Sequence, residues 1–317
     1  MAMRLCLSHR LAVRALLAAA LLAAGCKEEP RFRFQRVAAQ GFGERETAGL
    51  VACDALKEAS GLAASRSNPG VLWAHNDSGD KPRVFALGAH GEHLGIYTLL
   101  GAEAVDWEDM AVGPGPQKGR EYLYVADIGD NLAHRETKTV YRLPEPRVNA
   151  GQAPVESALA GAEALRLRYP DRPRNAEALL VDPVSRDLYI VTKQEETVTL
   201  YRAAYPQPLD RVCTMEDCGK LAIAGVVGGD VSPDGSAILL KTYGALYLAH
   251  REPGESLAAA LLRGNFERLP YTAEPQGEAV AWAPDGSAYF TLSEEREGIP
   301  AFLYRYSRLA GSPAPER

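Results

Sequence analysis

Residues 278–295 read EAVAWAPDGSAYFTLSEE. An apolar run, a Pro-Asp-Gly turn and a second run rich in aromatic residues predict a hairpin. Proline fixes φ, aspartate bonds its own backbone, and glycine takes the positive φ that a tight turn needs. The pattern decides the fold because it recurs. SGLAASRSNPGVLWAHNDSGD (60–80), EDMAVGPGPQKGREYLYVADIGDN (108–131), EALLVDPVSRDLYIVTKQE (177–195) and VGGDVSPDGSAILLKTYG (227–244) align with it. Self-similarity at a period of roughly 50 residues marks a repeat architecture whose units bury their faces against one another.

Two further short runs follow each hairpin: RVFALGA and HLGIYTLL, TVYRLPEP and ALRLRYP, VTLYRAAY and KLAIAG, ALYLAHR and NFERLPY. Four antiparallel strands per unit, the first apolar on both faces, predict an all-β fold, a β-propeller. Five blades is the preferred count. Six is the alternative, since the second unit is long and carries the insert PRVNAGQAPVESALAGA. The last unit ends in FLYRYSR without a fourth strand, and GLVACDAL (49–56) is expected to supply it and close the ring. GESLAAALLRG (254–264) is the one predicted helix after the leader.

The chain opens on MAMRLCLSHRLAVRALLAAALLAAGC, with Arg4, Arg10 and Arg14, no acid, and a short apolar stretch. This is an export signal ending in a lipobox-like run before Cys26, the expected site of lipidation. The domain assignment is therefore a leader at 1–25, lipidated Cys26 and a charged tether at 26–47, the propeller at 48–310 and a tail at 311–317. The expected location is the periplasmic face of the outer membrane or the cell surface, with the membrane engaged through the lipid. Loss of the leader takes the formal charge from −6 to −9 and leaves no basic cluster, which argues against nucleic acid as a partner. Of the remaining cysteines, Cys213 and Cys218 in CTMEDC are expected to form a local disulfide in an oxidising compartment. Cys53 is expected to be a packed thiol.

In a propeller the inner strands line a central tunnel, and their starts share one mouth with the ends of the second strands. The starts are Ser60, Glu108, Glu177, Val227 and Glu278. The ends include Asn76, Asp77, Asp127, Asp130, Lys193, Lys241 and Glu294. Four readings of this mouth stay open. The glutamates could hold the ring closed, through backbone donors or Lys193 and Lys241. Asn76, Glu108, Asp127, Glu177 and Glu278 offer only oxygen, a donor set that suits Ca²⁺. Glu108, Glu177 and Glu278 could instead act as the paired carboxylates of a glycoside hydrolase, with His75 a further candidate base. Finally, the mouth could bind a small molecule or protein without chemistry.

EASGLA with WAHNDSGD, DWEDMAVGP with YLYVADIGDN, NAEALLVDP with LYIVTK, and PQGEAVAW resemble exported bacterial propellers akin to the SdiA-regulated and esterase-like phytase propellers, from about Ser60 to Glu294. More distantly the chain is similar to calcium-dependent gluconolactonase and phosphotriesterase propellers, whose cation is held by Glu and Asn. That resemblance implies Ca²⁺ at Asn76, Glu108, Glu177 and Glu278, and hydrolysis of an ester, lactone or phosphoester. Those enzymes have six blades, and Val227 stands here where an acid would be expected.

Overall fold

The computed structural model describes residues 41–194 and 196–310. The leader, Cys26, most of the tether and the 311–317 tail lie outside the described residues. Five sheets form the molecule. The first blade runs Ala59–Ala64, Val71–Asn76, Arg83–Gly88 and His93–Leu99, and the second Trp107–Pro114, Glu121–Asp127, Lys138–Pro144 and Glu163–Arg168. The third comprises Ala176–Val181, Leu188–Thr192, Val198–Ala203 and Glu216–Leu221, and the fourth Val226–Val231, Ala237–Thr242, Leu246–His250 and Phe266–Leu269. In the fifth, Gly277–Trp282, Ala288–Ser293 and Phe302–Ser307 are completed by Glu46–Leu50, which pairs antiparallel with Phe302–Ser307 and closes the ring. Each inner strand abuts those of both flanking blades, the fifth against the first.

The core is five inter-blade layers. Leu62 packs toward the fifth blade with Leu72, Phe85 and Phe290, while its neighbour Ala63 faces the second with Trp73, Trp107 and Val125. Alternate residues of one strand thus meet two apolar surfaces, which is why the inner strands are apolar throughout. At the turns, Gly70, Gly235 and Gly286 take φ of +77°, +78° and +69°. Asp285 accepts the Ser287 backbone N–H at 3.0 Å. The predicted helix forms at Leu257–Leu262, with Ser256 Oγ accepting from the Ala259 N–H at its start.

Several expectations are corrected. The closing strand is Glu46–Leu50 rather than 49–56. Residues 51–56 leave the sheet in a turn, and Cys53 and Leu56 are buried under the first–fifth seam, an apolar burial that looks like a strand in sequence. The propeller also begins before residue 48, because the Phe42 ring packs on Tyr289 and Trp282 at centroid distances of 5.0 and 5.9 Å. No sixth blade forms within 108–177. The extra strand, Val155–Leu159, runs back to lie parallel on His93–Leu99 as a fifth strand of the first blade. Cys213–Thr214 likewise lies parallel on the edge of the second blade, whereas Cys218 is in the outermost strand of the third. Both are free thiols, so the expected disulfide is not made: the two cysteines are held in different sheets.

Candidate functional site

Every inner strand carries a β-bulge at the same place. Register slips between Ala59 and Gly61, Trp107 and Asp109, Ala176 and Ala178, Val226 and Gly228, and Gly277 and Ala279. The unpaired residues are Ser60, Glu108, Glu177, Val227 and Glu278, the five positions at the strand starts. A bulge re-aims one side chain out of the alternation, so it turns what would be an inter-blade position toward the mouth.

Two carboxylate triads result. In one, Asp77, Asp106 and Glu108 each offer an oxygen within 4.8 Å of the other two; in the second, Asp77, Glu278 and Glu294 do the same. Three atoms so spaced share a centre at most about 2.8 Å away, against the roughly 2.3–2.6 Å of a Ca²⁺–oxygen bond. Room is made by Gly129, where a Cβ would stand 2.1 Å from Glu108 Oε1 and 2.5 Å from the Asp106 carboxylate. Burial, reinforced by the charges of Glu177, Asp77, Asp106 and Glu278, pushes Glu108 well above the usual carboxylate range. Burial and the charges of Glu278 and Asp77 push Glu294 up to about 7. Asp106 is raised by burial and by Asp77. The donor set and the space fit a hard divalent cation.

Glu177 sits apart. Its Oε1 accepts from Lys193 Nζ at 2.6 Å, while its buried Oε2 has no hydrogen-bond partner among the described residues. Burial raises its pKa against the lowering effect of Lys193. Lys193 also donates to the Tyr243 hydroxyl at 3.2 Å, and that hydroxyl donates to Glu278 Oε1 at 2.5 Å. The Glu177–Lys193 pair is thus the ring-closing contact that the lysine at the strand end suggests. Among the described residues Lys241 pairs with no glutamate. It is fully buried and donates to the Gly277 carbonyl and, at 2.9 Å, to the Tyr271 hydroxyl, so it braces the backbone just before Glu278.

Three candidates are spent elsewhere. Asn76 Oδ1 accepts the Lys57 and Glu58 N–H groups at 2.9 and 3.0 Å, and its Nδ2 donates to the Ala55 carbonyl and Asp80. Asp127 is its counterpart in the second blade. Its oxygens accept the Val105 and Asp106 N–H groups at 3.1 and 3.2 Å and pair with Arg135 at 2.6 Å. Both hold the loop entering their own inner strand, and Asp127 joins neither triad. His75 is fully buried edge-on against Trp107, its Nδ1 at 2.8 Å from the Asn76 carbonyl; a Cβ on Gly61 would stand 2.2 Å from its Nε2. It packs a seam between blades and does not reach the carboxylates.

Sequence reasoning misses Asp77, Asp106 and Glu294 as ligands, Gly129 as the residue that leaves them room, and Tyr243 as the donor that holds Glu278. Asp77 and Glu294 are legible in sequence as second-strand ends. Asp106 and Gly129 lie in loops, and only the fold shows them facing Glu108. Below the mouth the tunnel is tied across by buried Asp109, whose Oδ2 accepts the Leu179 and Gly229 N–H groups at 2.9 and 3.2 Å. Asp230 accepts the Trp282 N–H of the next blade at 2.7 Å, so buried carboxylates tie the inner strands together beneath the acidic cup. A cavity of about 590 Å³ opens elsewhere, between the first and fifth blades at the turns that include Pro69 and Asp285. It gathers no comparable carboxylate cluster.

Comparison with protein-family models and with curated proteins gives no match. Solved structures similar to the chain include the PQQ-bound aldose sugar dehydrogenase of Streptomyces coelicolor, at 12% identity and TM-score 0.44, covering 86% of this chain and 100% of that one. Kuenenia stuttgartiensis hydrazine synthase matches at 9% and 0.42 over 80% and 84% of the two chains. A chain of a nidogen/laminin complex matches at 13% and 0.45 over 75% and 73%. At these scores the likeness carries no assignment of activity, ligand or partner. The chain itself is a five-bladed β-propeller.

Proposed function

We propose that this protein is an exported, lipid-anchored propeller whose acidic mouth holds Ca²⁺ and hydrolyses an ester, lactone or phosphoester. The observation that carries the reading is the meeting of Asp77, Asp106, Glu108, Glu278 and Glu294 from three blades, with oxygen donors at cation spacing. A bound cation would supply Lewis-acid polarisation of a carbonyl or phosphoryl oxygen. Around it the chain's own groups divide the work. Glu177 Oε2, buried and unpartnered, is placed to accept a proton near neutral pH. Lys193, half-buried, neutralises Glu177 and bonds the Tyr243 hydroxyl, which in turn holds Glu278 in place. The resemblance to esterase-like phytase and gluconolactonase propellers favours the same chemistry, with Glu108 and Glu278 as ligands and without Asn76.

The test is a calcium titration of the full chain in detergent, followed by calorimetry and by thermal unfolding. A cation that binds only the folded state raises the unfolding midpoint with concentration. Glu108→Gln is expected to weaken binding by tenfold or more. No heat and no midpoint shift would refute the cation reading. Binding without hydrolysis of any tested ester, lactone or phosphoester would leave a ligand-binding propeller.

A further inference from the structure

The two triads meet through one residue. Asp77 belongs to both, whereas Asp106 and Glu108 lie on one side of it and Glu278 and Glu294 on the other. The five carboxylates do not close on a single centre. We propose that the mouth holds two divalent cations bridged by the Asp77 carboxylate; this rests on the cation reading above.

Charge supports the pair. Among the described residues none of the five carboxylates forms an ion pair, since Lys193 is taken by Glu177, Arg135 by Asp127 and Lys138 by Asp130. With all five carboxylates ionised, as cation binding requires, one divalent ion would leave three negative charges facing each other in a half-buried cup; two leave one. Uncompensated charge in such a place is costly. A second observation points to a ligand directly. The Glu108 side chain is only 4% exposed and aims into the first triad, yet no donor among the described residues bonds its carboxylate. Glu278 and Glu294, by contrast, each spend one oxygen, on Tyr243 at 2.5 Å and on Gln276 at 2.7 Å, which fixes the second triad in place. Gly129 leaves the space that a cation beside Glu108 and Asp106 would need. Two hard cations sharing a carboxylate form a clamp suited to a substrate with several anionic oxygens, which favours a phosphoester over a lactone.

Stoichiometry tests the pair. Equilibrium dialysis of the full chain against Ca²⁺, with metal counted by mass spectrometry, is expected to give two ions per chain. Glu294→Gln and Asp106→Asn should each reduce the count to one, and Asp77→Asn should weaken both sites at least tenfold. With Mn²⁺ in place of Ca²⁺, the bridged pair should give an exchange-broadened electron paramagnetic resonance spectrum that Asp77→Asn abolishes. One ion per chain at saturation would overturn the pair and leave the single-cation reading intact. No bound ion would overturn both. Two ions without magnetic coupling would refute the bridge. Variants that lose metal are checked by circular dichroism, and if any is unfolded the wild-type count and spectrum decide alone.

Discussion

Cation binding should release protons, and the structure sets how many. Glu294 titrates at about 7 in the folded chain because burial and the charges of Glu278 and Asp77 disfavour its ionised form. At pH 6 it is therefore roughly nine-tenths protonated, and at pH 8 roughly one-tenth. A cation needs the carboxylate ionised, so binding at pH 6 should expel about 0.9 proton from Glu294 alone, with more from Glu108, which is held higher still. Each proton released makes affinity rise about tenfold per pH unit, or about 1.4 kcal/mol. Calorimetry at pH 6 in buffers of different ionisation enthalpy counts the protons directly. The same shift sets the stability of the cation-free chain. Folded Glu294 keeps its proton between its ordinary value of 4.5 and about 7 while the unfolded chain has released it. Stability is thus greatest below the ordinary value and falls as pH rises toward 7. The unfolding midpoint of the calcium-free protein should fall from pH 5 to pH 8, and calcium should restore it most at the upper end. Affinity independent of pH between 5.5 and 7.5, with no proton released, would refute the reasoning.

Other outcomes follow from the packing. Gly129→Ala places a methyl group against the Glu108 and Asp106 carboxylates, so it should weaken calcium binding by tenfold or more while the far-ultraviolet circular dichroism stays as in the wild type. Unchanged affinity would mean that the cup is looser than its geometry implies. Phe42→Ala removes a buried ring from between Trp282 and Tyr289 and should cost about 3–5 kcal/mol in denaturant unfolding. A loss under 1 kcal/mol would place residue 42 outside the propeller's cooperative core. Among the described residues neither the ring's closure nor the cup depends on a disulfide, since Cys53, Cys213 and Cys218 are free thiols.

Much of this protein is determined by sequence because its cause is local and repeated. Proline-bearing turns, two of them Pro-Asp-Gly, doubly apolar inner strands and a period near 50 residues recur through the five units, and they specify blades whatever surrounds them. The in-phase Glu108, Glu177 and Glu278 are legible for the same reason. Errors fall where a single copy or a long-range contact decides. Cys53 and Leu56 are buried without being a strand, and Val155–Leu159 joins the blade before its own. Asn76 and Asp127 look like ligands by residue type, yet each is consumed by two backbone N–H groups of a neighbouring loop. Only the tertiary structure decides that Asp77, Asp106 and Glu294 complete the cup and that Glu177 turns to Lys193 instead. A bulge at each inner strand turns five side chains toward one mouth, and which carboxylates then meet is fixed by the rotation of one blade against the next, a quantity no single strand encodes.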